Sequence, residues 1–319
     1  MSLPRSDLMR ALALAVLAVL CSQAMPVRAQ SALLRAEVVA PGVWALVGPL
    51  SGPSRDNHAL NATYGVLATP EGTIVIDSGA SEQGAKLLAG MAQQLTGQPV
   101  RWVINTGSQH HRWFGNGPMR KGGAQLVAHQ RTVRTQRSLA AAQALELQTL
   151  LGDRFAGTEP AHADRELDGA RSEITLGGLR IELLDLGDAH FPGDAVVWLP
   201  AGGVAFTGDL VYVDRLVSLA PLSNARTWLA AFERLVALAP ARIVPGHGAP
   251  TTLATAQAHT GAYLRFIVDG VARHAKEMSG VEAALAELGQ APAFSQLANF
   301  AQLHRVNIHR AYLSAEAGY

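Results

Sequence analysis

Four short segments of the chain each follow an apolar run of strand length and combine glycine with a metal-capable side chain. They read NTGSQHHRW, DLGDAHFPGD, FTGDL and VPGHG; the first follows the apolar run VRWVI, and the last begins with the final valine of the short run RIV. Glycine lets a loop turn tightly around a small site. Loops after strands are also where a protein with this scaffold carries its chemistry. The pattern therefore predicts buried strands whose following loops hold the functional side chains.

Hairpins and helices alternate along the rest of the sequence. Glycine pairs predict hairpins at Gly177–Gly178 and Gly202–Gly203. The segment EQGAKLLAGMAQQL predicts a helix that ends at Gly97, a second helix is predicted at roughly 130–150, and only helices are predicted from about residue 251. Strands in hairpins with helices closing each half predict an α/β protein in which two sheets pack together with helices outside.

The first 29 residues have the order of a secretory signal peptide. Arg5 and Arg10 precede the short apolar run ALALAVLAVL, and VRA ends in a small-residue cleavage site at Ala29. We therefore predict a signal peptide at 1–29, a mature domain at 30–319, and a periplasmic or secreted protein.

The composition excludes several other classes of protein. Cleavage would remove Cys21, the single cysteine, so a disulfide framework is excluded. A lipid anchor on Cys21 is the weaker interpretation, because Leu20 precedes it where a small residue is expected. The net charge of +1 and the lack of a Lys/Arg-rich run argue against nucleic acid as a partner. No later apolar run is long enough for a membrane span.

The four segments supply a set of candidate metal ligands. Neutral imidazole and carboxylate are the usual ligands of zinc and similar ions. A lone histidine in a loop is more often a surface residue, and the histidines outside the four segments are interpreted in that way. The joint order of the segments, rather than any one side chain, favours a site. The candidates are His110, His111, His190, Asp209 and His247.

Together these segments resemble the motifs of the metallo-β-lactamase superfamily of hydrolases. Within it, the chain is most similar to the periplasmic set associated with quinoprotein and sulfur-oxidation systems, over nearly all of the mature sequence. The resemblance implies an αβ/βα sandwich of two packed mixed β-sheets with outer helices, extended here by C-terminal helices, with a metal site at one edge. The family's first motif is T-H-x-H-x-D-H followed by x-x-G-N. The matching residues are Asn105, Thr106, Gly115 and Asn116 in that motif, and Asp77, His190, Asp209 and His247 beyond it.

The resemblance breaks down inside the first motif. Its two leading histidines fall on Gly107 and Gln109, its aspartate falls on His111, and its last histidine falls on Arg112. Glycine offers no ligand, an amide oxygen is a weak ligand for zinc, and arginine cannot ligate. The fixed charge of Arg112 also opposes a second cation.

The resemblance therefore implies one metal ion, zinc or another divalent metal. With one coordination position open, zinc lowers the pKa of a bound water to about 7; with all positions filled, the site is structural. In the catalytic case, Asp209 would orient the water and Arg112 would meet an oxyanion or an anionic group of the substrate. The implied ligands are His111, His190, Asp209 and His247, with His110 and Gln109 as weaker candidates.

Three functions remain open at this point. The first is a hydrolase of an ester, thioester or amide bond with a single metal. The second is a catalytically inactive family member that binds a ligand or a protein partner in the same cleft. The third is a metal-carrying accessory protein that meets a partner in a periplasmic redox system. The family hosts many chemistries on one scaffold, so the sequence names no substrate.

Overall fold

Two mixed β-sheets form the centre of the computed structural model, which describes residues 33–318. The predicted signal peptide lies outside the described residues. In the first sheet, neighbouring strands run antiparallel from β1 to β4 and parallel from β4 to β7. Its strands follow the order of the chain: β1 (Arg35–Ala40), β2 (Val43–Val47), β3 (Thr63–Thr69), β4 (Gly72–Ile76), β5 (Val100–Asn105), β6 (Gln125–His129) and β7 (Arg165–Leu167).

The second sheet is built from the later half of the chain. Four of its strands are consecutive in the chain and pair antiparallel, and a fifth strand forms one edge by pairing parallel to the last of the four. The spatial order is β12-β11-β10-β9-β8. The strands are β8 (Arg171–Leu176), β9 (Leu179–Leu184), β10 (Val196–Leu199), β11 (Val204–Phe206) and β12 (Arg242–Val244).

Helices cover both outer faces and form the C-terminal part of the chain. The helix predicted to end at Gly97 does so, because Gly97 adopts a left-handed conformation (φ 72°) and donates its N–H to Gln93 O. A π-helical turn, Gln257–Gly261, joins α6 to α7. The helices are α1 (Glu82–Thr96), α2 (His110–Trp113), α3 (Asn116–Lys121), α4 (Gln130–Leu151), α5 (Ala225–Ala237), α6 (Leu253–Ala256), α7 (Ala262–Lys276), α8 (Val281–Leu288) and α9 (Phe300–Glu316).

The inner faces of the two sheets share one apolar core. Ile76 and Ile104 of the first sheet pack in the same cluster as Leu183 and Phe206 of the second. Phe206 lies so close to Gly65 of β3 that a Cβ at that glycine would fall 2.4 Å from the phenyl ring. Burying a side chain of this size contributes about 1.5–3 kcal/mol. The contact fixes the spacing between β3 and β11, and both strands lead to the polar edge described below.

Each outer face has its own helical layer. Leu88 of α1 packs on the first sheet, while Trp228 of α5 and Ile267 of α7 pack on the second. The helix–sheet–sheet–helix order confirms the predicted αβ/βα sandwich with C-terminal helices. No helix within residues 33–318 combines the length and the apolar character that a membrane crossing requires.

Candidate metal centre

The loops that follow five strands converge at one edge of the sandwich. His111 lies in α2, after β5, and Asp209 lies in a short 3₁₀ turn, Gly208–Leu210, after β11. His247 follows β12, and His190 lies between β9 and β10. Asp77 directly follows β4. Residues that are far apart in sequence therefore share one site because parallel strands end at the same edge of a sheet.

The loop that carries His111 is held by a buried polar network. The carbonyl oxygen of Arg112 accepts hydrogen bonds from Ser78 N (3.1 Å) and Asn105 Nδ2 (2.9 Å). Asn116 Nδ2 donates to Asn105 Oδ1 at 2.7 Å, and Ser78 Oγ donates to Asn116 Oδ1 at 2.8 Å. Asn105 and Asn116 are two of the residues that match the first motif. Their bonds fix the ends of the segment in which the motif's ligands are replaced.

The side chain of Arg112 is fully buried, and protein acceptors engage all five of its N–H groups. Nε and Nη2 donate to the two oxygens of Asp209, at 3.1 and 2.6 Å. Nη1 donates to Asp77 Oδ2 at 3.0 Å and to Thr63 O at 3.2 Å, and Nη2 also donates to Gly246 O at 3.0 Å. A guanidinium has no further donor. This corrects the role that the sequence suggested for Arg112, because it has no group left for a substrate; it positions Asp209.

The two carboxylates beside Arg112 respond differently to burial. Burial alone would raise the pKa of Asp209, but the charge of Arg112 and the contact with His111 outweigh it, so this pKa lies well below its usual range. Burial raises the pKa of Asp77 to about 6, although Arg112 and the two bonds from Thr106 act against it. Both carboxylates are therefore mainly ionised at neutral pH, Asp209 by the wider margin, and Asp77 supports Arg112 from behind.

His111, Asp209 and His247 form a group with metal-binding geometry. One ligand atom from each lies within 4.8 Å of the others, and all three side chains are buried. His111 Nε2 is 3.1 Å from Asp209 Oδ2, and His247 Nε2 is 3.1 Å from Asp209 Oδ1. Burial lowers the pKa of His111 well below its usual value and that of His247 to about 4. Both imidazoles are therefore neutral near pH 7, as metal ligation requires.

The tautomer of His247 supports a cation at this position. Its Nδ1 lies 2.8 Å from the carbonyl oxygen of Asn61, which can only accept, so Nδ1 carries the ring hydrogen. The lone pair on Nε2 therefore faces the ionised Asp209 Oδ1 without a hydrogen between them. Two acceptors at 3.1 Å repel each other, and the charge of Arg112, whose Nη2 lies 2.6 Å from the same Asp209 oxygen, offsets this repulsion only in part; a cation bound by both atoms would remove it. A second hydrogen bond that orients the ring is also the usual arrangement around a metal-bound histidine. The donor set fits a divalent ion.

His190 and Gln109 pair with each other instead of joining that group. His190 Nε2 is 3.0 Å from Gln109 Oε1, and Ser223 Oγ is 3.3 Å from His190 Nδ1. Burial lowers the pKa of His190 to about 4. Gly107, at the position of the motif's first histidine, has Asp194 Oδ1 only 2.9 Å from where a Cβ would lie. His190 lines the same cavity as His111 and His247, so its role as a ligand stays a prediction.

His110, the weaker sequence candidate, is directed away from the group. Its ring is edge-on to His111 with centroids 5.5 Å apart, and its Nε2 is 3.6 Å from Glu146 Oε1. Its buried Nδ1 has no hydrogen-bond partner. His110 therefore lines the site beside His111, outside the three-residue group.

A cavity of about 150 Å³ opens beside the metal-binding group. Sequence reasoning missed several of its walls. Asn61 and Tyr212 carried no signal, whereas Arg215 stands out as a lone cation in the apolar stretch LVYVDRLVSLA. Arg310 reaches the cavity from the C-terminal helix α9, which the sequence suggested only as a helix. The residues that could not be identified from the sequence are those whose side-chain direction depends on tertiary packing.

Comparison with known proteins identifies the scaffold. Residues 59–247, more than half of the chain, match the model of the metallo-beta-lactamase superfamily. No match was found among curated proteins. A metallo-beta-lactamase from Pontibacter korlensis is similar in structure, with 20% identity, 73% of this chain and 99% of that chain covered, and a TM-score of 0.58.

Two further solved structures have the same fold. The metallo-beta-lactamase FIM-1 from Pseudomonas aeruginosa, in its mono-zinc form, has 16% identity and a TM-score of 0.59, with 74% of this chain and 96% of that chain covered. A metallo beta lactamase from Hirschia baltica has 17% identity and a TM-score of 0.57, with coverage of 73% and 97%. At these identities the structures support the fold alone, whereas the family match extends over the site from Asp77 to His247. The chain is a member of the metallo-β-lactamase superfamily.

Proposed function

We propose that this protein is a metal-dependent hydrolase that holds one divalent ion, zinc by preference, and cleaves an ester, thioester or amide bond. The observation that carries the proposal is the pair of facing acceptors, His247 Nε2 and Asp209 Oδ1, with His111 Nε2 on the other carboxylate oxygen. Three protein ligands leave a coordination position open, which is the arrangement of catalytic zinc sites. When bound, the ion supplies Lewis-acid activation of water and of the scissile carbonyl group.

The side chains around the ion would divide the remaining tasks. Arg112 holds the Asp209 carboxylate by two hydrogen bonds, and Asn61 O orients the His247 ring. The Gln109 amide oxygen is engaged by His190, which leaves the amide NH₂ group as a donor at the cavity wall. These groups orient a bound substrate, and burial of the ligands keeps bulk water away from them.

A single ion is favoured over two by the residues at the first motif. Gly107 has no ligand atom, and Gln109 Oε1 already accepts a hydrogen bond from His190. We interpret this as a degenerate two-metal motif. A related β-lactamase from Pseudomonas aeruginosa was determined in a mono-zinc form, which is compatible with one ion on this scaffold. Membership in the periplasmic quinoprotein- and sulfur-oxidation-associated set, export by the 1–29 leader and a redox-system partner remain proposals that rest on the sequence resemblance.

Metal content tests the number of ions directly. Elemental analysis of dialysed protein should give about one equivalent of divalent metal, because residues 33–318 contain one group of three metal-capable ligands. His247→Ala should reduce the content to near zero. His309→Ala is the matched control, because His309 is exposed on α9 and should leave the content unchanged. Two equivalents in the wild-type protein would contradict the single-ion proposal.

Hydrolysis of a panel of ester, thioester and β-lactam substrates tests the reaction class. Asp209→Asn and His247→Ala should each lower kcat/KM by about a hundredfold or more, since each weakens the ion that polarises the reacting groups. His309→Ala should retain full activity. A metal-bound wild-type protein without activity on any substrate of the panel would favour the alternative, an inactive family member that binds a ligand or partner.

A further inference from the structure

Arg215 is a buried cation without a counterion. Arg215 is 7% exposed, and its Nε has no hydrogen-bond partner. The nearest polar contact, from Nη1 to His247 Nδ1 at 3.3 Å, is not a useful hydrogen bond, because Nδ1 already carries the hydrogen donated to Asn61 O. Within residues 33–318 no carboxylate forms an ion pair with Arg215, and the centre of the Tyr212 ring lies 5.5 Å from its Cζ.

The fold holds this arginine firmly although its burial is unfavourable. Tyr212 N donates a hydrogen bond to the hydroxyl oxygen of Thr260 at 3.0 Å, and the same hydroxyl donates to Tyr212 O at 2.6 Å. On the other side, Ala298 N donates to Asp214 O, and Leu216 N donates to Ala298 O, each at 2.9 Å. Burial also lowers the pKa of Arg215. Burying an unpaired charge lowers the stability of the fold, yet hydrogen bonds hold the chain on both sides of Arg215. This combination is typical of a functional residue.

A second arginine reaches the same cavity from the C-terminal helix. Arg310 of α9 lines it, and its Nη1 donates to Leu219 O. Asn307, one turn earlier, bonds Leu219 N at 2.9 Å and Val217 O at 2.8 Å, so the helix is anchored to the cavity wall. No ion pair of Arg310 is present in the described range. Helix α9 lies beyond residues 59–247, the part of the chain that matches the family model.

The cavity has no acidic wall to balance these charges. Its other polar walls are imidazoles, amides and hydroxyl groups, among them His190, Gln109 and Ser218. The nearby Asp209 carboxylate is turned to Arg112. A bound divalent ion would add further positive charge next to Arg215. The site as a whole therefore favours a ligand that brings negative charge with it.

We propose that Arg215 and Arg310 form a recognition site for a small oxyanion group, a carboxylate or a phosphate, next to the metal-binding group. Guanidinium groups bind both oxyanions by charge-assisted, often bidentate hydrogen bonds. A volume of about 150 Å³ accommodates such a group with only a short apolar connection. The oxyanion site does not depend on the proposed hydrolase function. If the protein is a hydrolase, the site further implies that its substrate is anionic, and this part rests on the proposed function.

Calorimetric titration of metal-free protein tests the binding site without catalysis. The probes are succinate, inorganic phosphate and the neutral diamide succinamide. We expect one or both anions to bind and succinamide not to bind. Arg215→Gln and Arg310→Gln should each weaken anion binding roughly ten- to hundredfold, the range for a hydrogen bond to a charged group. Arg305→Gln, an exposed cation on the same helix, should leave it unchanged. Absence of binding by both anions, or equal losses in all three variants, would overturn the proposal.

Thermal unfolding separates a recognition role from a structural one. Metal-free Arg215→Met should melt roughly 2–5 °C higher than the wild-type protein, because it removes an unpaired buried charge and keeps the side chain's volume. A lower melting temperature would mean that Arg215 supports the fold, and would contradict the proposal.

The hydrolase function and the oxyanion site can be contradicted independently of each other. Anion binding that depends on both arginines, together with no hydrolysis of any substrate, leaves the oxyanion site standing and overturns the hydrolase. Among hydrolysed esters, the mono-p-nitrophenyl ester of succinate should be preferred over p-nitrophenyl levulinate, its neutral counterpart, and Arg215→Gln should remove the preference. Hydrolysis with equal preference for the two esters, and no anion binding, would overturn the oxyanion site alone.

Discussion

Replacing Arg112 by methionine should lower the free energy of unfolding of the metal-free protein by about 3–5 kcal/mol, the range for breaking a buried ion pair. The side chain is fully buried between Asp77 and Asp209, and its five N–H groups also satisfy Thr63 O and Gly246 O. Methionine fills a similar volume but leaves two carboxylates without a counterion. Urea unfolding followed by circular dichroism measures the loss.

A matched control distinguishes this effect from the general loss of a cation. Arg120, on α3, forms an ion pair with Asp164 at 2.6 Å, and its side chain is 43% exposed. Arg120→Met should cost no more than about 1 kcal/mol, as is usual for exposed pairs. If both variants lost the same free energy, Arg112 would not be the centre of the buried network.

A double-mutant cycle identifies the source of the loss. Asp77→Asn keeps an acceptor for Thr106 N, which lies 2.7 Å from the carboxylate, and its NH₂ group can donate to the Thr106 hydroxyl oxygen, which lies 2.6 Å away, but the charge is removed. Arg112→Met should therefore cost less in the Asp77→Asn background, by about 0.5–3 kcal/mol of coupling energy. Additive effects would show that the two side chains act independently.

The scaffold could be predicted because its signals are local. Gly177 and Gly178 both adopt positive φ angles, 56° and 81°, at the turn between β8 and β9, as the glycine pair predicted. Gly97 ends α1 in the left-handed conformation that the sequence suggested. The alternation of apolar runs and glycine turns then left few ways to arrange the strands, and the two-sheet sandwich followed.

The connections within the site could not be predicted in the same way. The sequence placed Arg112 in register with a metal ligand. Whether its guanidinium points to a substrate or into the protein depends on Thr63, Asp77 and Gly246, which come from three other segments of the chain. The order of motifs identified His111, Asp209 and His247 as candidates. It carried no information that His190 would pair with Gln109, since that contact depends on how two separate loops pack.

Arg215 and Arg310 lay outside any motif for a related reason. Arg215 becomes significant only because Asn61 O takes the hydrogen of His247 and leaves the guanidinium without an acceptor. Arg310 becomes significant only because α9 is anchored at Leu219. The direction of a side chain, and whether it finds a hydrogen-bond acceptor, depend on the folded structure. The sequence pattern alone does not show them.

The double variant Gly107→His, Gln109→His should gain a second metal equivalent. The segment between Asn105 and Asn116 is already fixed at both ends by hydrogen bonds, so the new imidazoles need no insertion in the backbone. The two new histidines and His190 would then supply the three imidazoles that bind the first metal in the family. Gln109→His also removes the amide oxygen that now engages His190 Nε2 at 3.0 Å.

The atoms around Gly107 determine how well a side chain at this position is tolerated. A Cβ there would lie 2.9 Å from Asp194 Oδ1 and 3.4 Å from Arg112 Cγ. Asp194 Oδ1 is the end of a flexible side chain and can shift, and its carboxylate would then be available to orient the new imidazole. Gly107→Ala is the matched control: it tests whether the Cβ is tolerated and should add no metal. Arg112 and His111 are left untouched, because a change at Arg112 would leave Asp77 and Asp209 without their counterion.

Zinc titration calorimetry of the metal-free double variant is the measurement, with about two equivalents expected against about one for the wild-type protein and for Gly107→Ala. The charge of Arg112 does not prevent the gain, because Asp77 and Asp209 already neutralise it. Activity need not change, since the surrounding groups also set the basicity of the ligands. A folded double variant that still bound a single equivalent would mean that side chains at positions 107 and 109 do not converge with His190, and that the chain does not retain the frame of a two-metal site.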